Sequence, residues 1–162
     1  MGHGIAHVAA LAGFEVSLYD VTLAASGQGK AKIQQNLEIG VTKGKVTAAD
    51  RDATLGRITC VDTLAALSNC QLVIEAIPEK LVLKQELFIS LSGLCAPDAI
   101  LASNTSSLSL TEIAAVATNP GRVVGLHFFN PVHLMKLLEI VRAFQTSDET
   151  LERVKEIGRA HV

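Results

Sequence analysis

Four short, mostly apolar runs, at residues 58–61, 72–76, 99–103 and 123–128, recur along the chain, bounded by polar, glycine or proline residues and mostly separated by helical segments. This alternation constrains the fold more than any other feature of the sequence. A strand that does not alternate apolar with polar side chains has no face for water, so it belongs in a sheet covered on both sides. Helices between such strands supply the crossovers that parallel pairing requires. The expected class is therefore α/β, with a doubly wound, mainly parallel sheet.

The rest of the chain fits that frame. Ile5, Val8, Ala9, Leu11 and Ala12 recur at helical spacing, and Gly13 supplies a C-terminal stop. Residues 14–19 alternate as a short strand closed by Asp20. An amphipathic helix is expected over residues 22–40 with Thr22 as its N-cap, and the polar stretch 41–57 contains one short helix opened by Thr47. A helix over residues 81–94 carries the heaviest apolar stripe, and Ser109 with Glu112 forms a capping box ahead of residues 113–116. Residues 137–141 read as a further strand, and Thr146 with Glu149 caps a last helix. The sequence contains no internal repeat.

Composition narrows the function. With 162 residues, a formal net charge of −2 and no Lys/Arg run, the chain offers no basic face to nucleic acid, and a small-molecule partner is expected. Its apolar runs fall far below the ~20 residues of a membrane-spanning helix. The N-terminus has no basic stretch leading into an apolar run, which points to the cytoplasm. Cys60, Cys70 and Cys95 are odd in number, far apart and without a CxxC, which argues against both a disulfide framework and a zinc site. They read as small core residues, and no metal is expected.

Gly2 and Gly4 open a helix that is followed by a strand ending in Asp20. This order matches the latter half of a dinucleotide-binding βαβ unit, in which the helix N-terminus receives a pyrophosphate and an acidic residue ~20 positions on bonds the ribose hydroxyls. From Gly2 to Asp20 is 20 − 2 = 18 positions. Alone, the pattern is also ordinary punctuation around a helix and a strand. His127 ends an apolar run before the turn Asn130-Pro131, and is compatible either with one backbone hydrogen bond or with a general base that takes a hydroxyl proton as hydride leaves the neighbouring carbon. Glu139 sits in an apolar strand, where a carboxylate must be paired or lie at an edge in water. Ser106 lies in a Ser/Thr/Asn cluster just after a strand, a place for ligands in open α/β sheets or for helix caps.

Three blocks resolve these alternatives. Ala102-Ser103-Asn104-Thr105-Ser106-Ser107-Leu108, Gly125-Leu126-His127-Phe128-Phe129-Asn130-Pro131-Val132 and Met135-Lys136-Leu137-Leu138-Glu139-Ile140 resemble, in order and spacing, the signature blocks of the 3-hydroxyacyl-CoA dehydrogenase family, nearest its short 3-hydroxybutyryl-CoA type. The opening Met1-Gly2-His3-Gly4-Ile5-Ala6 resembles the end of that family's glycine fingerprint. The resemblance implies a Rossmann-type fold, NAD as cofactor and oxidation of an (S)-3-hydroxyacyl-CoA to the 3-ketoacyl-CoA, or the reverse, in fatty-acid metabolism. It implies a His127–Glu139 pair as base, with Ser106 and Asn130 at the reacting oxygen and Asn130 also at the cofactor. Gly2, Asp20, Glu79 and Lys84 are implied along NAD, and Lys43 and Asn36 where CoA is contacted. A non-catalytic NAD-binding protein on the same scaffold is the alternative, and retention of Ser106, His127, Asn130 and Glu139 together counts against it.

Both ends depart from a whole domain. The chain starts inside a helix, and Ile157-Gly158-Arg159-Ala160-His161-Val162 back-translates as ATC GGA AGA GCA CAC GTC, which matches the start of a widely used short-read sequencing adapter. The expectation is that residues 1–156 are a partial NAD-binding domain lacking its first strand, and that 157–162 are a non-native tail, with a natural helical tail as the alternative. A helical second domain that completes the site and forms a homodimer is expected to be missing, leaving the chain itself inactive.

Overall fold

A computed structural model describes residues 1–159. They form two compact units, one of Met1–Ala66 with Asn130–Met135 and one of Leu67–Phe129 with the chain from Lys136 onward.

In the first unit, helix α1 (Gly2–Leu11) leads to strand β1 (Val16–Tyr19), helix α2 (Leu23–Thr42), helix α3 (Ala48–Gly56) and strand β2 (Ile58–Val61). Gly13 adopts φ 99°, a left-handed conformation that only glycine accepts without strain, and the chain turns there out of α1. Thr22 and Thr47 cap α2 and α3 as expected, accepting from the amides of Ala25 and Asp50. Strands β1 and β2 pair in parallel from Val16↔Ile58 to Tyr19↔Val61. Ala6, Ala10, Ile33, Leu37 and Ile58 make the core, with Val16, Leu18, Val46 and Leu55 packed against it. Full burial of an Ile or Leu side chain contributes about 1.5–3 kcal/mol. Contrary to the double-sided burial expected of residues 58–61, Thr59 is exposed and only Ile58 is fully covered. The helices of this unit pack on the Ile58 side of a sheet only two strands wide.

The second unit contains β3 (Leu72–Glu75), α4 (Leu81–Leu94), β4 (Ile100–Ser103), α5 (Leu110–Ala114), β5 (Val123–Phe128), β6 (Leu138–Val141) and α6 (Asp148–Arg159). The strands hydrogen-bond in the order β3-β4-β5-β6, the first three in parallel and the last antiparallel. Residues 129–137, which join β5 to β6, contain no helix and are too few for a parallel crossover. Every residue of β4 is buried, as are Val123 to Leu126 of β5, so these two runs are covered on both faces, whereas Leu72, Val73 and Ile74 of β3 are only half-buried, contrary to the expectation for residues 72–76. Arg122 is buried too, its guanidinium donating to the carbonyls of Ser92 at 2.7 Å and Ala99 at 3.3 Å.

Two capping expectations change. Ser109 Oγ accepts from the Glu112 amide at 3.3 Å, but the helix it opens is only Leu110–Ala114. At α6 the cap is Ser147, whose Oγ accepts from the Thr150 amide at 3.2 Å. Thr146 is instead buried, accepting from the Ala143 amide and donating to the Val123 carbonyl at 2.7 Å, so its hydroxyl ties the turn before α6 to β5. Ile157, Gly158 and Arg159 continue α6, whereas residues 160–162 of the expected tail lie outside the described residues. None of the three cysteines is disulfide-bonded; Cys95 is buried and Cys60 and Cys70 are half-buried. No helix among the described residues is long and apolar enough to cross a membrane, and none of their His, Cys, Asp and Glu side chains cluster to hold a metal ion.

Candidate functional site

Parallel pairing brings the carboxyl ends of β3, β4 and β5 side by side, and the polar groups of the second unit gather there. Pairing of β5 with β6 sets His127 directly opposite Glu139. Their side chains meet, with Nδ1 to Oε2 at 2.8 Å, and the imidazole is largely covered while the carboxylate is half exposed. Both local readings of Glu139 therefore hold at once: β6 is an edge strand, and the carboxylate is paired. A carboxylate at Nδ1 favours the tautomer with the proton on Nδ1, which leaves Nε2 as the acceptor. The Phe129 ring packs against the imidazole at 4.4 Å between centroids.

The turn after β3 and the loop after β4 are joined by a second group of side chains. Glu79 Oε1 accepts from the Thr105 hydroxyl, from the Ser106 amide at 3.1 Å and from the Ser107 amide at 3.4 Å. Its other oxygen lies 3.2 Å from Lys84 Nζ. Partial burial works to raise the Glu79 carboxyl, but the hydrogen bonds from Thr105 and Lys84, the Lys84 charge and the Ser106 amide outweigh it and hold the group at about 2. Lys84 lies in the first turn of α4. It is 1 % exposed and paired with Glu75, itself buried, at 2.5 Å. Asn104 Oδ1 accepts from the Phe128 amide at 2.8 Å, tying this loop to the strand end that carries His127.

Glu75, Ser103, Asn104 and Thr105 were not singled out by the sequence. Glu75 carried the same signal as Glu139, a carboxylate inside an apolar run, and that signal alone could have found it.

The first unit holds the remaining candidates. Helix α1 begins at Gly2 with no side-chain cap and no acidic residue in its first turn. Gly4 has no room for a side chain: a Cβ there would meet Val132 Cγ2 at 2.9 Å. Asp20 follows β1, is exposed, and accepts from the Val21 amide at 2.8 Å. Asn36 and Lys43 lie two turns apart on one face of α2 and at its C-cap, with Lys43 exposed. Asn130 is exposed and precedes a cis peptide bond to Pro131.

A further group was not expected. His7 of α1 is buried and stacks on His133, with ring centroids 5.6 Å apart, and no partner meets its Nδ1. Burial, then His133 and His3, push the His7 imidazole down to about 4.

In the first unit, a helix start without a side-chain cap and an acidic group after the next strand are features of dinucleotide-binding domains, and in the second unit so are polar groups at the carboxyl ends of parallel strands. The sequence matches the family described as 3-hydroxyacyl-CoA dehydrogenase, NAD binding domain, over residues 1–161. The chain belongs to this family. Its fold is Rossmann-like, and NAD is the cofactor of the domain family.

A 3-hydroxybutyryl-CoA dehydrogenase from Bradyrhizobium diazoefficiens is 46% identical over 156 residues, which are 96% of this chain and 53% of that protein. The crystal structure of 3-hydroxybutyryl-CoA dehydrogenase from Escherichia coli K12 superposes with a TM-score of 0.97 at 44% identity, covering 99% of this chain and 34% of the other. The (S)-3-hydroxybutyryl-CoA dehydrogenase of Ralstonia eutropha gives a TM-score of 0.97 at 38% identity, over 99% of this chain and 57% of the other. The chain thus spans about half the length of the curated relatives it matches.

Proposed function

We propose that the protein this domain serves is an NAD-dependent dehydrogenase that converts an (S)-3-hydroxyacyl-CoA to the 3-ketoacyl-CoA, acting on short acyl chains such as 3-hydroxybutyryl. The observation that carries the reading is the His127–Glu139 pair, 2.8 Å apart across two paired strands. NAD supplies the hydride acceptor. His127 Nε2 takes the proton of the substrate hydroxyl, and the charge that develops on the imidazole is balanced by Glu139 through Nδ1. Ser106 and Asn130 hold the reacting oxygen, and Asn130 also faces the cofactor. Gly2 and the start of α1 take the pyrophosphate, and Asp20 takes the ribose hydroxyls. Glu79, with Lys84 behind it, would lie along the cofactor. Lys43 and Asn36 contact CoA. The proposed protein works in the cytoplasm as a homodimer assembled through a second domain.

The test is a double-mutant cycle in the complete enzyme. His127→Gln removes the proton acceptor while keeping much of the shape, and is expected to slow single-turnover hydride transfer by roughly 10²–10⁴-fold with NAD affinity nearly unchanged. Glu139→Gln is expected to lose less. Because the two residues act as one unit, the double variant should be little worse than His127→Gln alone. Losses that multiply, or full activity in His127→Gln, would place the base elsewhere.

A further inference from the structure

The buried side of the Glu79 cluster is built more tightly than fold stability requires. Glu75 and Lys84 have side chains 0% and 1% exposed. Desolvating such a pair costs about as much as the attraction returns, so an apolar pair of similar volume would hold the fold as well. An apolar pair cannot, however, direct hydrogen bonds. Glu75 Oε1 accepts from Lys84 Nζ at 2.5 Å and from the Ile77 amide at 2.8 Å, and Oε2 accepts from the Ser103 hydroxyl at 2.7 Å. Ser103 Oγ in turn accepts from the Thr105 amide at 3.2 Å, and the Thr105 hydroxyl donates to Glu79. Lys84 closes the circuit by reaching Glu79 Oε2.

The result is a ring of five residues, Glu75, Lys84, Glu79, Thr105 and Ser103, that joins the end of β3, the first turn of α4 and the loop after β4. Two carboxylates share one ammonium in it. The buried carboxylate faces inward and the half-exposed one faces outward, so the orientation of Glu79 is set from behind.

We propose that Glu75 is a positioning residue that, through Lys84 on one side and Ser103 on the other, fixes the Glu79 carboxylate and the Ser106 amide where cofactor and substrate are held. This rests on the assignment of Glu79 to the cofactor made above. Glu75→Gln retains the size of the side chain but removes the buried charge that anchors Lys84, leaving the ammonium with the Glu79 carboxylate at 3.2 Å and the Ile77 carbonyl at 3.3 Å. Loss of one charge-assisted hydrogen bond at a positioned group translates into about tenfold in affinity, or about 1.4 kcal/mol.

The experiment uses the complete enzyme and four variants: Glu75→Gln, Ser103→Ala, Glu75→Gln/Lys84→Met and Glu79→Gln. Three quantities are read: the NADH dissociation constant by fluorescence, thermal stability, and amide hydrogen exchange at Ser106 and Ser107 in the cofactor-free protein. Glu75→Gln is expected to bind NADH about tenfold more weakly and to exchange faster at Ser106. The Glu75→Gln/Lys84→Met variant, with both buried charges removed, should recover stability without recovering affinity. Ser103→Ala should move affinity and exchange in the same direction by less, and it decides the matter if Glu75→Gln does not fold. Changes in stability with parental NADH affinity and exchange in the Glu75 and Ser103 variants would overturn the proposal. If Glu79→Gln weakens NADH binding and Glu75→Gln does not, the proposal alone is wrong. If Glu79→Gln has no effect, the assignment of Glu79 to the cofactor fails and the proposal falls with it.

Discussion

Gly125 links the packing of the second unit to its chemistry. It sits in β5 opposite Val141 of β6, two residues before His127. A Cβ added there would lie 2.8 Å from Val141 Cβ, 3.2 Å from Leu110 Cδ2 and 3.3 Å from the Val141 carbonyl oxygen. Val141 Cβ is fixed to its backbone, so no rotamer change relieves the contact. Restoring an ordinary carbon–carbon separation of about 3.5–4.0 Å requires β6 to retreat by roughly 0.7–1.2 Å. Overpacking of this kind costs about 1–3 kcal/mol. The lower unfolded-state entropy of alanine offsets about 0.4–1 kcal/mol of that, leaving a net loss of about 1–2 kcal/mol. In a chain of this size the melting temperature should fall by about 2–8 °C.

The same retreat reaches the His127–Glu139 pair two residues along, whose 2.8 Å contact would open toward ~3.5 Å and cease to orient the imidazole. Single-turnover hydride transfer should then slow by about ten- to a hundredfold. Thermal denaturation and stopped-flow hydride transfer on Gly125→Ala in the complete enzyme test both expectations. Gly27→Ala is the control. It lies inside α2 with nothing within 4 Å of the added Cβ, so it should stabilise by about 0.5–1 kcal/mol. A Gly125→Ala protein as stable and as fast as the parent would show that β6 gives way freely, and the link between strand packing and catalytic geometry would be wrong.

Asp20→Ala is expected to erase the preference for NAD over NADP in the complete enzyme, because a carboxylate at the ribose repels a 2′-phosphate; equal catalytic efficiency with both cofactors in the parent would remove Asp20 from that role. Acidification should act through His7. Its folded-state value of about 4 lies below its ordinary 6.5, so the unfolded chain binds the proton first. The stability that His7 contributes is complete above pH 6.5 and is lost as pH falls toward 4, by an amount on the order of 3 kcal/mol. His7→Gln should flatten the stability–pH curve in that window, measured by urea denaturation at a series of pH values, and an unchanged slope would refute the assignment.

The sequence by itself determined the elements and their class. Apolar runs flanked by helical segments place most strands within a residue of where they fold, because apolar burial and the caps at Thr22 and Thr47 are local demands that the residues state directly, although only β4 and most of β5 are buried on both faces. His127 and Glu139 were legible as chemistry because each is a polar group in an apolar strand, and the resemblance of their blocks to a dehydrogenase family paired them. Their register was not legible. It follows from the antiparallel return of β6, forced by the lack of a helix between residues 129 and 137. Likewise Thr146 matched a capping pattern yet serves the interior, because its hydroxyl is drawn to Val123 across the fold rather than to its own helix. The Glu75–Ser103 bond joins residues 28 apart, and only the parallel pairing of β3 with β4 sets them opposite one another. Contacts of that span depend on strand order, which no local pattern of residues contains, and it is they that decide which way Lys84 and Glu79 face.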